Sequence, residues 1–138
     1  MSETTKTITW TCQHCHEPIA DGKGWITIDQ REVWQRRDAV KAWREEGRKA
    51  DEEHQPGRVG RLIHPADLKT FPDPIRWEVT HETCDPNPDR GTDYWIGIER
   101  IRTEADLLSW SAHLFGKRWF QDTAWDRIIR KAIGRVHL

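Results

Sequence analysis

All three cysteines of this chain fall in two short runs, Cys12-Gln13-His14-Cys15 and His81-Glu82-Thr83-Cys84. Two soft ligands separated by two residues can wrap one metal ion, because the backbone turns tightly between them and its amides can hydrogen-bond the sulfur charge. Two such turns close a tetrahedron, with Zn–S near ~2.3 Å and Zn–N near ~2.0 Å. The expectation is one Cys3His zinc site, with Cys12, Cys15, His81 and Cys84 as ligands and His14, His16 or His64 as the replacements for one of them. Three thiolates and an imidazole leave no position for water, so the zinc is expected to be structural rather than catalytic. An odd number of cysteines also suits a metal site in a reducing compartment better than it suits disulfides.

Other chemistries fit the same residues less completely. Cys12-Gln13-His14-Cys15-His16 has the haem-attachment pattern C-x-x-C-H, but Met1 is the only methionine and no export signal precedes the motif. A redox C-x-x-C of thioredoxin type calls for a βαβ context, whereas the residues that follow read as a hairpin. His81-Glu82 opens like a zincin motif, yet the fifth residue is Asp85 where histidine is required. Deaminase zinc sites pair His-x-Glu with Pro-Cys-x-x-Cys, and neither the order nor the proline matches. HNH nucleases also carry C-x-x-C-H, but no downstream His/Asn pair of the needed kind follows. There is no Gly-rich phosphate loop and no nucleophile elbow. The plain alternative is buried free thiols beside an unrelated histidine.

The knuckles must be delivered by extended chain. Thr7-Ile8-Thr9-Trp10 alternates polar and apolar residues as a short strand would, Asp21-Gly22-Lys23-Gly24 marks a turn, and Trp25-Ile26-Thr27-Ile28 reads as a second strand. Residues 7–28 are therefore expected to form a hairpin carrying the first knuckle. Gln30 to Glu53 has no proline and many helix formers, with Val33, Val40, Trp43 and Gly47 on one stripe, and predicts a long, mostly exposed helix. Gln55-Pro56-Gly57 breaks it, and a loop with one helical turn at Pro65 to Lys69 runs to Pro74. Ile75 to Thr80 alternates like a half-buried strand that ends on His81, and Tyr94 to Ile98 adds another, for about four short strands in all. Thr103-Glu104-Ala105-Asp106 has the form of a capping box before an apolar helix stopped at Gly116. Thr123-Ala124-Trp125-Asp126 repeats it before a helix with Trp125, Ile128, Ile129, Ala132 and Ile133 on one stripe, closed by Gly134.

The chain has 138 residues, one domain's length, enough for a modest core but not for two. Its formal net charge of -1 leaves no global attraction to nucleic acid or anionic lipid, so only local patches can supply one. Nine tryptophans, from Trp10 to Trp125, supply the apolar area that marks the chain as folded despite 33% charged residues. Arginine outnumbers lysine about two to one, the usage of GC-rich bacterial genomes and their phages. No apolar run approaches the roughly 18 residues of a membrane helix, and Met1 to Ile8 lacks the features of a secretory signal; a cytoplasmic protein with no membrane partner is expected.

The eight knuckle residues resemble the Cys-x-x-Cys…His-x-x-Cys half-module of LIM domains and, more loosely, zinc ribbons. The resemblance covers the knuckles and the strands feeding them, and implies that Cys12, Cys15, His81 and Cys84 are the metal ligands. The spacer, residues 16–80, is far longer than in a LIM half-module, and no second ligand set follows. The expected fold is α+β: a small antiparallel zinc-ribbon-like sheet with a long helical insertion and two C-terminal helices. One domain over 1–138 would hold the hairpin at 7–28, the insertion and loop at 30–74, the strands with the second knuckle at 75–98 and the helices at 103–134.

Three functions are compatible with this reading. The first is a zinc-stabilised regulatory or protein-binding module that uses the long charged helix or the tryptophan-rich C-terminal helices to hold another protein. The second is nucleic-acid binding by Lys117, Arg118, Arg127, Arg130, Lys131 and Arg135, which outnumber Asp122 and Asp126 and have Trp119 and Trp125 nearby. The third is an enzyme with a non-catalytic zinc and a site elsewhere, for example around His64, Asp67 and His113. Arg36, Arg37, Lys41, Arg44, Arg48 and Lys49 are interleaved with acids and read as a solvated face laced by i,i+4 pairs. Trp125 lies on the apolar stripe and is expected in the core.

Overall fold

The computed structural model describes residues 7–54, 70–86 and 93–134. Three strands and three helices of an α+β fold occur among them: β1 (Gly24–Asp29), α1 (Gln30–His54), β2 (Glu78–His81), β3 (Asp93–Gly97), α2 (Glu104–Phe115) and α3 (Trp125–Ala132). β1 is the middle strand, antiparallel to both neighbours. Gly24 faces His81 and Thr27 faces Glu78 on one side, while Trp25 faces Gly97 and Asp29 faces Asp93 on the other. Gly24 permits this close start: a Cβ there would lie 2.6 Å from the Thr80 carbonyl oxygen and 2.7 Å from Cγ2 of Ile19.

The sheet thus has three strands among the described residues where about four were expected. The N-terminal segment does alternate, with Ile8, Trp10 and Cys12 buried and the residues between them exposed. It does not pair with β1, however, and the hairpin expected over 7–28 does not form. Both edges of β1 are taken by β2 and β3, so the segment finds its partners just before α2. Thr7 bridges Thr103, the Ile8 N–H donates to the Arg102 carbonyl at 2.6 Å, and the Trp10 indole N–H donates to the Ile101 carbonyl at 2.7 Å.

α1 starts directly after Asp29, whose carboxylate accepts the Arg31 N–H at 2.9 Å. Its 25 residues bury Val33, Val40, Trp43 and Gly47, the expected stripe. On the wet side Arg48 reaches Glu45 at 2.6 Å and Glu52 at 2.9 Å, exposed pairs of the solvated kind that contribute little. Trp43 closes against the returning chain, its indole N–H donating to Thr70 Oγ1 at 3.0 Å and its ring meeting Phe71 edge-on at 4.9 Å. The helical turn expected at Pro65 to Lys69 lies outside the described residues.

One buried cluster joins sheet and helices: Ile26, Ile28, Val79 and Ile96 from the strands, Val33 from α1, Leu107 and Leu114 from α2, and Trp125 and Ile128 from α3. Trp77 stands among the aromatic members, 4.9 Å from Trp125, 6.0 Å from Trp119 and 6.1 Å from Tyr94 between ring centroids. Trp125 is therefore a core residue, as its stripe implied. Its N–H donates to Ser111 Oγ at 2.9 Å and Ser111 in turn donates to the Leu107 carbonyl at 2.8 Å, tying α3 to α2.

Of the strand expected from Ile75 to Thr80, only Glu78 onward joins the sheet. Ile75 instead bridges Thr123 in parallel, its N–H donating to the Asp122 carbonyl and its carbonyl accepting the Ala124 N–H. That bridge holds Thr123 extended with its hydroxyl donating to the Phe120 carbonyl at 2.8 Å. The second capping motif is accordingly unused, and α3 starts after Ala124 with no side-chain cap. The first motif is used in full: Thr103 Oγ1 accepts the Asp106 N–H at 3.1 Å, and the Asp106 carboxylate accepts the Thr103 N–H at 3.2 Å and the Arg102 N–H at 3.1 Å.

The Arg102 N–H foremost, with the Thr103 groups, holds the Asp106 carboxyl below its usual range. The stability it contributes is present above the pKa of unfolded aspartate and is lost as pH falls through the lower folded value. Thr103→Ala is expected to cost about 1 kcal/mol, seen as a lower melting temperature. Asp106→Asn is expected to flatten the acid limb of a stability–pH curve between those two pKa values.

Candidate metal centre

The first knuckle is a loop closed on itself. Thr11 bridges Pro18, the Cys12 N–H donates to the Glu17 carbonyl at 2.9 Å, and the Ile19 N–H donates to the Trp10 carbonyl at 2.8 Å. Gln13 ties this loop to β2 through both its backbone and its side chain: its N–H donates to the Val79 carbonyl at 2.8 Å, and its Oε1 accepts the Val79 N–H. Nothing in the sequence marked Gln13, an intervening position of the knuckle, for this role. The second knuckle begins at His81, the last residue of β2, and continues as a single 3-10 turn over Glu82–Cys84, with the Glu82 N–H donating to the Lys23 carbonyl. The two ligand pairs thus meet where β1 begins beside the end of β2.

Cys12, Cys15, His81 and Cys84 lie close together and could hold a metal ion: one potential ligand atom from each fits within 4.8 Å of all the others. His81 Nδ1 is 3.2 Å from Cys15 Sγ and 4.0 Å from Cys84 Sγ. Its other ring nitrogen, Nε2, lies 3.0 Å from the Pro18 carbonyl oxygen. A carbonyl only accepts, so Nε2 carries the proton and the lone pair on Nδ1 faces the sulfurs. Three backbone N–H groups, from His14 at 3.4 Å, Cys15 at 3.5 Å and His81 at 3.4 Å, converge on the sulfur of Cys12.

Burial opposes ionisation of the Cys12 thiol. The backbone N–H groups of Cys15, His81 and His14 outweigh it and bring its pKa down to about 6. Cys84 moves the other way, up to about 11, first through burial and then through its hydrogen bonds with, and the charge of, the Cys15 and Cys12 sulfurs. One thiolate therefore forms readily and opposes the next. A divalent cation among the four atoms removes that opposition, because a thiol bound to it is deprotonated outright.

His14 and His16 are exposed and stand outside the cluster, and His64 lies outside the described residues. His16 has a structural part instead: its φ of 64° puts it in the left-handed region as the chain leaves the knuckle. His16→Gly is expected to keep its full metal content and His81→Ala to lose most of it, measured by elemental analysis of dialysed protein.

Lys117 and Arg118 line a groove with Asp126 and Ile129. Lys117 has its ammonium 5.2 Å from the Tyr94 ring centroid, and Arg130 faces Asp126 at 3.8 Å. Lys131 sits near Arg76 and Arg127, its ammonium disfavoured first by burial and then by those two charges; no local pattern of residues adds Arg76 to the set. Arg135 lies outside the described residues. With 2% of its surface exposed, Trp125 offers no face for a base to stack on, and Trp119 packs against Tyr94 and Trp77. His113 packs edge-on against Trp110 at 5.4 Å, while His64 and Asp67 lie outside the described residues.

Among the described residues no helix is long and apolar enough to cross a membrane. Comparison with known proteins finds no matching family model, curated protein or solved structure.

Proposed function

We propose that this chain is a regulatory or protein-binding module whose fold is closed by one structural zinc on Cys12, Cys15, Cys84 and Nδ1 of His81. The arrangement of donors carries this reading: a histidine tautomer set by Pro18, and a sulfur already met by three N–H groups. A tetrahedral zinc with these ligands has S···N edges of about 3.6 Å, between the 3.2 and 4.0 Å that separate His81 Nδ1 from the sulfurs of Cys15 and Cys84. Three sulfurs and one imidazole also suit zinc far better than magnesium or calcium, which take oxygen ligands.

Four protein ligands fill the coordination sphere, so the metal's part is to join two distant segments and not to activate water. Each ligand pair stands next to an extended segment, in support of a zinc-ribbon kinship; the departures are a first knuckle that pairs with itself and the long α1 between the pairs. A single domain over 1–138 and a reducing, cytoplasmic setting belong to the same reading, since thiol ligands must stay reduced. The protein-binding part is supported by large apolar side chains left in water, among them Leu108, Phe115 and Trp34 at 72%, 71% and 63% exposure.

Native mass spectrometry of the purified full chain tests the metal: one zinc ion per chain is expected. Replacement by cobalt(II) should then give the intense visible absorption of a thiolate-rich tetrahedral site. A folded chain that takes up neither ion overturns the reading.

A further inference from the structure

Between the end of α2 and α3 lies a groove of about 740 Å³. Phe115, Phe120 and Ile129 form its apolar wall, and Arg37, Lys117 and Arg118 stand on its rim. Phe115 leaves 71% of its surface in water although its ring meets Phe120 edge-on at 5.0 Å. Each rim cation is in surplus or open to solvent. Arg37, at 3.7 Å, shares the Asp122 carboxylate with Arg36, at 2.8 Å, so two guanidiniums answer one negative charge. Lys117 is placed by an aromatic ring rather than by an acid, and Arg118 is exposed. Asp126, the only carboxylate among the described residues of the lining, already faces Arg130.

An apolar wall under a positive rim selects for apolar side chains flanked by carboxylates. We infer that this groove binds an acidic amphipathic segment of a partner protein, with an apolar side chain against Phe115 and Ile129 and carboxylates on Arg37, Lys117 and Arg118. The inference rests on the protein-binding reading above and names the chemistry of the partner. A nucleic-acid strand fits less well, because Phe115, Phe120 and Trp125 engage one another at interplanar angles of 75° and 60° and the rim supplies few cations for a phosphate backbone.

The test is selection from a random displayed peptide library on the zinc-loaded full chain, alongside a variant carrying Phe115→Ser, Lys117→Glu and Arg118→Glu. All three positions are away from the metal cluster, and metal content and near-ultraviolet circular dichroism of both proteins are measured in parallel. Enrichment of peptides that combine acidic residues with an apolar anchor is expected, with synthetic copies binding the variant at least about 10-fold more weakly. No enrichment, enrichment without that bias, or equal binding to the variant overturns the inference. So does tighter, steeply salt-dependent binding of a single-stranded oligonucleotide through the same three residues, or self-association that Phe115→Ser abolishes. If the wild-type chain proves metal-free while the peptides still bind, the zinc reading fails alone; if zinc is present and no peptide binds, the groove assignment fails alone.

Discussion

Cys84→Ser is expected to leave the chain unfolded, and a strong chelator is expected to do the same to the wild type. A structural zinc contributes on the order of 10 kcal/mol to folding, against a total stability of about 5–15 kcal/mol for a domain. The geometry shows why little would remain. Cys12 is fully buried with three N–H groups directed at its sulfur, an arrangement that supports a thiolate, and without a cation that buried negative charge has no counter-charge among the ligands. The first knuckle is joined to β2 by the Gln13–Val79 hydrogen bonds and by the cluster itself. Loss of the cluster loosens the attachment of an N-terminal segment that carries Ile8 and Trp10 into the core. Limited proteolysis and the near-ultraviolet signal of the tryptophans report the outcome. A Cys84→Ser protein that melts at the wild-type temperature contradicts a metal-dependent fold.

Arg36→Ala is expected to be the most costly change away from the metal. The side chain is 11% exposed and that of its partner Asp122 is 5% exposed, with Arg36 Nη1 and Asp122 Oδ1 2.8 Å apart. The same guanidinium donates to the Asp73 carbonyl at 3.1 Å and the Pro72 carbonyl at 3.2 Å, and it lies 5.5 Å from the Phe71 ring centroid. One side chain therefore clamps α1, the returning chain at residues 71–73 and the turn before α3. Removing it leaves a buried carboxylate whose remaining cation is Arg37 at 3.7 Å. Breaking a buried pair in this way costs roughly 3–5 kcal/mol, readable as a large fall in the denaturation midpoint.

Two controls separate the causes. Arg37→Ala, which removes a guanidinium 47% exposed, is expected to cost less than about 1 kcal/mol. Arg36→Met combined with Asp122→Leu is expected to recover much of the loss, because an apolar pair carries no desolvation penalty. Equal effects of Arg36→Ala and Arg37→Ala would show that burial is not what sets the size of the change.

The short-range features of this protein could be read from residue order. The stripe Val33, Val40, Trp43 and Gly47, the alternation of Ile8 and Trp10 with Thr7 and Thr9, and the Thr103/Asp106 cap each depend on side chains a few residues apart, where helix or strand geometry fixes who shares a face. The grouping of Cys12, Cys15, His81 and Cys84 was legible for a related reason. Each ligand pair is local, and two half-filled coordination sets in one chain have an obvious common use.

Periodicity says which face of a segment is buried but not against what, and backbone N–H and C=O groups are nearly alike at every residue. Only the assembled molecule could decide that the N-terminal segment lies on Ile101 to Thr103, that Thr123 bridges Ile75 instead of capping α3, and that Arg36 finds Asp122. The His81 tautomer, the Gln13 tether and the groove beneath Arg37, Lys117 and Arg118 are likewise products of distant segments meeting. Their physical basis is long-range: each exists because burial and hydrogen-bond satisfaction were settled over the whole core at once, beyond the reach of any local pattern.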